Sequence, residues 1–284
     1  LALITGGNAI TITSGVVNHD DTSSQSSVNN SGSNFIQDIT LDTYGHVTAI
    51  TSAAAAGGDP YVNVNSTGTA ASATGTDAIA IGETAVAGGS DGVAIGSGAY
   101  AHSQQDNISI GKNTMSGNTG SLNIGIGREA GRNSGGASSM VSIGVWSGDG
   151  SNANESTFIG YAAGQNVDNY GNTAIGALSM QNNTTGGQLN TCVGYKSGLD
   201  LTSGNWNTLI GGFAGTNITT QNSNVCVGYN AGGSLANGSG YNTLIGSNAA
   251  LNSTGEYHVM VGFSSEPSTN TTSYETVVGY NLTG

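Results

Sequence analysis

The chain contains very little charge, and almost none of it is positive. Charged residues make up 7% of the 284 residues, and the formal net charge is −13 because the only cations are Lys112, Arg128, Arg132 and Lys196. Phosphate binding needs a basic face, so we expect neither nucleic-acid binding nor attraction to anionic membranes. No apolar run approaches the roughly 20 residues of a spanning helix, which predicts no membrane insertion. The chain opens at Leu1 without an initiator Met, so we expect a fragment or processed product.

The sequence also lacks the motifs of common catalytic and metal sites. Its one Gly-Lys pair is followed by Asn113 rather than by the Ser or Thr of a P-loop. The cluster His19-Asp20-Asp21 has no second cluster at metal-ligand spacing. Acidic residues of the repeats fall at varied offsets, whereas a glycosidase needs two facing carboxylates. We therefore predict no catalytic residue, no bound metal and no cofactor.

Proline, which is frequent in disordered chains, occurs only twice, while glycine occurs 48 times. Thirteen glycines each follow an Ile or Val at steps of 14 to 18 residues, and a fixed period of this kind indicates one small unit copied and stacked. We call them the repeat glycines and count the other positions of each coil from them. They are Gly82, Gly96, Gly111, Gly127, Gly144, Gly160, Gly176, Gly194, Gly211, Gly228, Gly246, Gly262 and Gly279.

The residues just before each repeat glycine read as a short strand with two apolar faces. The first and third residues before the glycine share one face, which we interpret as the structural core. The second residue before it points the other way, and none of its occupants is charged. A strand apolar on both faces is covered on both, and one chain of thin coils covers only one of them, so we predict an obligate oligomer. The core candidates are Ile81, Ile95, Ile126, Ile159, Val193, Ile210, Val227 and Ile245, and the trimer-axis candidates are Phe158, Cys192, Leu209, Cys226, Leu244 and Met260.

The two cysteines, Cys192 and Cys226, each lie two residues before a repeat glycine. They therefore occupy equivalent positions two coils apart, at roughly 9–10 Å given the spacing of paired strands. An intrachain disulfide needs its Cα atoms within about 7 Å. We expect both to be small buried hydrophobes rather than a disulfide.

Asparagine often stands four positions before the repeat glycine. Stacked side chains of this kind predict either a hydrogen-bonded ladder along the rod or caps on the turns that enter the strands. The residues are Asn107, Asn123, Asn172, Asn190, Asn207, Asn224 and Asn242.

Aromatic residues recur at a second, longer period and also occur in or near the turns. Tyr161, Tyr195, Tyr229 and Phe263 follow every second repeat glycine, and we expect them to be exposed along one stripe. Turns are where rods vary, and aromatic faces commonly recognise sugar rings. The alternative for the candidate binding residues of the turns is that they pack over neighbouring coils. The candidate surface-binding residues in or near turns are Trp146, Trp206, Tyr170, Tyr241 and Tyr257.

Residues 1–58 do not follow the glycine repeat. Ala9 to Thr13, Phe35 to Leu41 and Val47 to Thr51 alternate as strands, the last two being joined by a turn that ends in Gly45. Residues 18–34 are polar and predict a loop, and the run that begins at Ala53 predicts a linker. We expect an N-terminal β-hairpin connector at 1–58, a linker with a possible degenerate first coil at 59–76, and a repetitive β-roll fibre domain at 77–284.

Two stretches resemble known families. The early coils Ala78-Ile79-Ala80-Ile81-Gly82-Glu83-Thr84-Ala85 and Val93-Ala94-Ile95-Gly96-Ser97-Gly98-Ala99 resemble the head repeats of YadA-like trimeric adhesins, over about Asp77 to Gly284. That resemblance implies a left-handed parallel β-roll whose three chains share one axis. The stretch from Phe35 to Ile50, with its Gly-His-Val-Thr core, looks like the hairpin segments of bacteriophage tail fibres.

Taken together, these resemblances imply an all-β protein. The expected fold is a trimeric left-handed parallel β-roll solenoid of about thirteen coils with a small N-terminal β-hairpin region. The expected function is that of an extracellular tail fibre of a virion, which attaches as a homotrimer to a host cell-surface glycan or protein receptor. It would contact other tail or baseplate proteins and act without catalysis. The alternatives are the head domain of a bacterial trimeric surface adhesin and a polysaccharide-degrading tailspike.

Overall fold

The computed structural model of the protein describes residues 10–13, 16–19, 34–41, 47–54, 68–182, 186–235 and 240–284. The chain divides into two compact units, Leu1–Asn63 and Val64–Gly284. In these described ranges the secondary structure consists of strands and turns without α-helix. Accordingly, they contain no helix that is long and apolar enough to cross a membrane.

The first unit contains two antiparallel strand pairs. Strand β1 (Ile10–Thr13) pairs with β2 (Val16–His19), and β3 (Asn34–Leu41) pairs with β4 (Val47–Ala54). The three predicted strands are confirmed. The loop predicted at 18–34 is wrong at its two ends, which belong to β2 and β3, and the predicted linker start at Ala53 is part of β4. The predicted turn at 42–45 and residues 59–67 of the predicted linker lie outside the described residues.

The second unit is a parallel β-solenoid. Thirteen three-residue strands, one before each repeat glycine, pair in chain order into a single parallel sheet, so the chain makes about twelve turns. This confirms the predicted all-β repeat architecture. The strands are β6 (Ile79–Ile81), β8 (Val93–Ile95), β10 (Ile108–Ile110), β11 (Ile124–Ile126), β12 (Val141–Ile143), β13 (Thr157–Ile159), β14 (Thr173–Ile175), β15 (Thr191–Val193), β16 (Thr208–Ile210), β17 (Val225–Val227), β18 (Thr243–Ile245), β19 (Val259–Val261) and β20 (Thr276–Val278).

Three shorter strands form a second parallel sheet in the first coils. They are β5 (Ser72–Ala73), β7 (Val86–Ala87) and β9 (Tyr100–Ala101), which pair in that order. In the later coils the described residues between successive long strands form turns and bends, with isolated bridges between Asn118 and Gly135 and between Glu266 and Thr283. Equivalent positions stay in register throughout, as Cys192 shows by pairing with Leu209 of the next coil.

The repeat glycines turn the chain directly after each strand. Gly194 has a φ of +138°, and a Cβ atom there would lie 2.5 Å from the carbonyl oxygen of Gly211 in the next coil. Real Cβ atoms do not approach backbone this closely, so both the dihedral and the contact demand glycine. The same contact with the following coil recurs from Gly82 to Gly262, which explains the constancy of the repeat.

The second residue before each repeat glycine faces the inside of the chain's own coil. The six trimer-axis candidates, Phe158, Cys192, Leu209, Cys226, Leu244 and Met260, are all 0% exposed within a single chain. Residues seven positions after the repeat glycine complete the same cluster, among them Val167, Leu201, Ile218 and Leu235. The assignment of the six residues to a trimer axis is therefore wrong, because one chain already covers them completely.

The predicted core residues face outward instead. Ile126, Ile210 and Ile245 are 37–41% exposed, and Ile81, Ile95, Ile159, Val193 and Val227 are half-buried. In a three-residue strand, alternation puts the outer two side chains on one face and the central one on the other. The coil is so narrow that its interior accepts the central side chain and leaves the β-branched pair outside. The prediction that these eight residues form the core is therefore wrong.

The predicted asparagine ladder is confirmed, with hydrogen bonds that join successive coils. Asn207 donates its amide N–H to Asn190 Oδ1 at 3.1 Å, and Asn224 donates in the same way to Asn207 Oδ1 at 3.1 Å. The Asn207 amide also donates to the Gln221 carbonyl at 2.9 Å, so the ladder satisfies turn carbonyls as well. These asparagines are buried, and their side chains meet polar groups that would otherwise lack partners. The ladder continues at His258, whose backbone N–H donates to Asn242 Oδ1 at 2.9 Å.

Candidate functional site

Four of the last five coils carry an aromatic residue at the same corner, five positions before the repeat glycine. The structure thus groups Trp206, Tyr241 and Tyr257, three of the predicted binding residues, into one file. We call this file of equivalent positions the corner column. From the first coil to the last it contains Asp77, Asp91, Asp106, Leu122, Ser139, Glu155, Gly171, Leu189, Trp206, Ser223, Tyr241, Tyr257 and Tyr274.

Backbone hydrogen bonds hold the corner column in register. In each of the last five coils the corner residue donates its N–H to the carbonyl of the residue before the preceding corner, at 2.9–3.2 Å. Ser223, for example, donates to the Asn205 carbonyl, and Tyr241 donates to the Asn222 carbonyl. Each corner side chain therefore leaves the rod one coil above the previous one.

The last three corner residues stack face to face. The ring centroids of Tyr241 and Tyr257 are 5.0 Å apart with an interplanar angle of 5°, and those of Tyr257 and Tyr274 are 4.8 Å apart at 6°. Desolvation is the largest of the effects that raise the pKa of the Tyr257 phenol, and the nearby Tyr274 is the next. The stack is a ladder of parallel rings along the rod, with phenol groups at a regular spacing.

Every corner residue adopts a left-handed backbone, which is unfavourable for large side chains. Trp206, Tyr241 and Tyr257 each have a φ of 59°. This region suits Gly, Asn and Asp, and the aspartates of the first three coils fit it. Such conformations cost about 1–3 kcal/mol for other residues, whereas an aromatic pair contributes about 0.5–1.5 kcal/mol. Stacking within the chain does not clearly offset the strain, and the four rings are 42–77% exposed.

Trp146 lies in a different place, two positions after a repeat glycine, within the main charged cluster of the described residues. Its indole N–H donates to Glu129 Oε2 at 2.9 Å, and the Arg128 guanidinium lies over the ring at 4.9 Å. Arg132 contacts both Glu129, at 2.7 Å, and Asp149, at 3.0 Å. The Asp149 hydrogen bond is the largest of the effects that raise the Arg132 pKa. These contacts link two successive coils, and the charged groups pair with one another.

Tyr170 belongs to neither group. It lies six positions before its repeat glycine and lines a depression of about 380 Å³ together with Ser138, Ser139, Asn154 and Glu155. It is exposed. The structure therefore does not bring Tyr170 or Trp146 together with the three predicted residues of the corner column.

The predicted aromatic stripe after every second repeat glycine is confirmed as exposed. Tyr161, Tyr195, Tyr229 and Phe263 all have well-exposed side chains. Two of them, Tyr195 and Tyr229, make edge-to-face contacts with Phe213 at 5.3 and 5.8 Å. These side chains therefore also pack partly over neighbouring coils.

The cysteines have the environment of inert core residues. Both are free and fully buried, which confirms the prediction for them. Burial raises the pKa of Cys226 to about 12 and also raises the pKa of Cys192. A thiol of this kind stays protonated and unreactive near neutral pH.

Sequence reasoning found part of the corner column but missed its organisation. Tyr274 occupies the same offset and was not among the candidates, and neither was Ser223, which interrupts the aromatic file between Trp206 and Tyr241. The common offset of five residues before the repeat glycine was the available signal. Within the described residues, no group of three or more His, Cys, Asp or Glu side chains is placed to hold a metal ion.

Comparison of the chain with protein-family models, curated proteins and solved structures gives no match.

Proposed function

We propose that this chain is a homotrimeric segment of a bacteriophage tail fibre, which attaches the virion to a host cell-surface receptor without catalysis. In this proposal the solenoid is a left-handed roll, as the YadA-like repeats imply, and three copies lie side by side around a common axis. The N-terminal hairpins connect it to other tail or baseplate proteins. The tail-fibre-like stretch from Phe35 to Ile50 favours a virion appendage over a bacterial adhesin head.

The observation that carries the proposal is the outward face of the long sheet. Both outward positions of all thirteen strands are Ile, Val or Thr, from Ile79 in the first strand to Val278 in the last. This face extends over about 60 Å at the usual spacing of paired strands. Contiguous exposed apolar surface beyond a few hundred Å² marks an interaction site.

A closed ring of identical copies covers such a face along its whole length. The outward apolar face runs along the length of the solenoid. Copies that pack around an axis parallel to it therefore bury equivalent coils against one another. Exchanging the inner and outer faces does not remove the need for an oligomer in this proposal. It changes the contact residues, which are now the outward β-branched side chains. The number three and the handedness come from the resemblance to YadA-like heads.

The charged cluster around Arg132 gives no support to the tailspike alternative. The Arg132 guanidinium contacts two carboxylates of the described residues, Glu129 and Asp149. The space between them is thus filled by a side chain, whereas a glycosidase leaves room there for the scissile bond.

Cell binding tests the proposal. The fluorescently labelled protein, incubated with a panel of bacterial strains, is expected to bind a subset of them saturably and to release no reducing sugar from their polysaccharides. Absence of binding to every strain would contradict attachment, and release of reducing sugar would favour the tailspike. Neighbouring tail or baseplate genes at the locus would support the virion assignment, whereas a membrane-anchor domain in the same gene would favour the adhesin head.

A further inference from the structure

The corner column contains an aromatic ladder with one missing rung. Trp206 and Tyr241 occupy the same corner two coils apart, and the coil between them carries Ser223. From Tyr241 onward, successive rings are separated by 4.8–5.0 Å. At that rise the Trp206 and Tyr241 positions are about 10 Å apart. A gap of this width admits one additional ring, because stacked rings lie about 5 Å from each neighbour.

We propose that this gap is a binding subsite for one pyranose ring of a neutral glycan. The inference rests on the proposed attachment function and deepens it by naming the receptor chemistry. The sugar ring would take the place of the missing rung, with its C–H faces against Trp206 and Tyr241 and Ser223 beneath it.

The strain at this corner supports a role in binding. Ser223 shares the left-handed φ of 59° with Trp206 and Tyr241, so the backbone is the same whether the side chain is small or large. Large side chains at this φ are outliers in folded proteins. Trp206 is 57% exposed and has no aromatic partner among the described residues, so its ring face gains no stacking contact from the chain. Strained and exposed residues of this kind are characteristic of ligand contacts.

The polar groups around the gap suit a hydroxylated ligand. Asn205 precedes Trp206 and donates its amide N–H to Asn222 Oδ1 at 3.2 Å, and the Asn205 backbone N–H donates to the same oxygen at 2.7 Å. The Asn222 amide nitrogen supplies further donors beside the Ser223 hydroxyl. The Asn205 amide already donates to the Ser203 carbonyl and to Asn222 Oδ1. A pyranose combines an apolar ring face with peripheral hydroxyl groups that can accept from the Asn222 amide, whereas an aromatic side chain of a protein partner offers that amide no acceptor.

The charge distribution favours a neutral sugar over an acidic one. The residues directly before the corner near the gap are uncharged, namely Gln188, Asn205 and Asn222. The corner residues of the last six coils, from Leu189 to Tyr274, are uncharged as well. No cation is available at these positions to pair with a carboxylate or sulfate of an acidic glycan. The net charge of −13 repels such a polymer as well.

The fluorescence of Trp206 can test the proposal directly. The chain has two tryptophans, so a Trp146→Phe background leaves Trp206 as the sole reporter. The probes are cellohexaose, maltohexaose and mannohexaose, with trigalacturonic acid as the anionic comparison. At least one neutral hexaose is expected to change the Trp206 emission saturably, while trigalacturonic acid is not. If no neutral hexaose changes the emission, or if only trigalacturonic acid does, the proposal is overturned.

The decisive variant is Ser223→Tyr, which fills the gap without removing either wall. Tyrosine is tolerated at this φ, as Tyr241 shows, so the variant is expected to keep its circular dichroism and thermal midpoint. It should weaken hexaose binding at least about tenfold, because the ligand loses a stacked position. Tyr195→Ala, which removes an exposed aromatic ring outside the corner column, should stay within about threefold of the parent affinity. Unchanged affinity in a folded Ser223→Tyr variant would overturn the proposal.

Cell binding separates this inference from the proposed function. If the unmodified protein binds bacterial cells and Ser223→Tyr binds them equally well, attachment stands and the receptor site lies elsewhere, on a protein or another sugar. If a neutral hexaose perturbs Trp206 but no strain is bound, the subsite stands and the attachment function fails.

Discussion

The repeat glycine is the residue on which each coil depends most. At Gly194 the chain needs a φ of +138° and has no space for a Cβ atom beside the Gly211 carbonyl. Gly194→Ala is therefore expected to destabilise the surrounding coils by at least about 2 kcal/mol. Hydrogen exchange of strands β14 to β16, together with the midpoint of chemical unfolding, would measure the loss.

Gly136 offers a matched control for this prediction. A Cβ atom there would meet nothing within 4 Å, and its φ does not lie in the left-handed range. Gly136→Ala should leave both hydrogen exchange and the unfolding midpoint nearly unchanged. Equal effects of the two substitutions would show that the repeat glycine is not a steric requirement.

The buried cysteines predict a loss of stability in alkali. Burial raises the pKa of Cys226 from 9.0 to about 12 and raises the pKa of Cys192 in the same direction. In the unfolded chain the thiols ionise near pH 9, while in the folded chain they stay protonated, so ionisation favours unfolding as the pH rises from about 9 towards 12. The contribution of the protonated thiols to the free energy of unfolding is fully present below about pH 9.

A Cys192→Ala/Cys226→Ala double variant tests this effect. It is expected to be less stable at pH 7 because it lacks two buried side chains, but to lose less of its own stability between pH 9 and 11. Urea unfolding across that range would give the two slopes. Parallel pH dependence in the parent and the variant would show that the thiols do not contribute.

At the scale of the element, the strand separates two neighbouring residues onto opposite faces. Leu209 is 0% exposed inside the coil, whereas Ile210 is 39% exposed outside it. Leu209→Lys buries a charge without a partner and is expected to unfold the central coils, while Ile210→Lys should preserve the fold of the single chain. Far-ultraviolet circular dichroism and thermal melts would compare them. If the Leu209→Lys variant folds and the Ile210→Lys variant does not, Ile210 is the core residue and Leu209 faces outward, as the sequence predicted.

The strands and their register were predictable, but the direction of their faces was not. The Ile-Gly or Val-Gly period locates every long strand because each coil repeats one steric requirement. Both faces of the strand are apolar, so hydrophobicity alone could not say which face is inside. The available signal was size compensation within a coil. Phe158 is followed by Gly164, whereas the small Ala174 is followed by Met180, as expected when both positions share one interior.

The asparagine ladder was also predictable as an element. Its side chains recur at one offset, and parallel stacking in register leaves them one coil apart, where amides bond to one another. The corner column was harder to predict, because its residues vary from Asp to Trp. The common offset before the repeat glycine makes Asp77 and Tyr274 equivalent, but nothing in residues of such varied type indicates the left-handed backbone that they share.

At the scale of the whole molecule, the solenoid provides a long rod with a self-contained interior and one apolar face. The interior holds the small core of each chain, so the proposed assembly depends on the outward Ile, Val and Thr residues alone. The sequence predicts that an apolar strand face needs a partner, and with the two faces exchanged this stays a prediction about the outward residues. The proposed tail-fibre function rests on the two resemblances, and the cell-binding experiment described above tests it.

The mass of the folded protein in solution tests the central claim most directly. Multi-angle light scattering of the purified chain should give three times the chain mass of 28.0 kDa, about 84 kDa. An Ile210→Lys/Val227→Lys variant should give the single-chain mass with unchanged circular dichroism. A well-folded unmodified protein of 28.0 kDa, with its outward face left in water, would contradict the account.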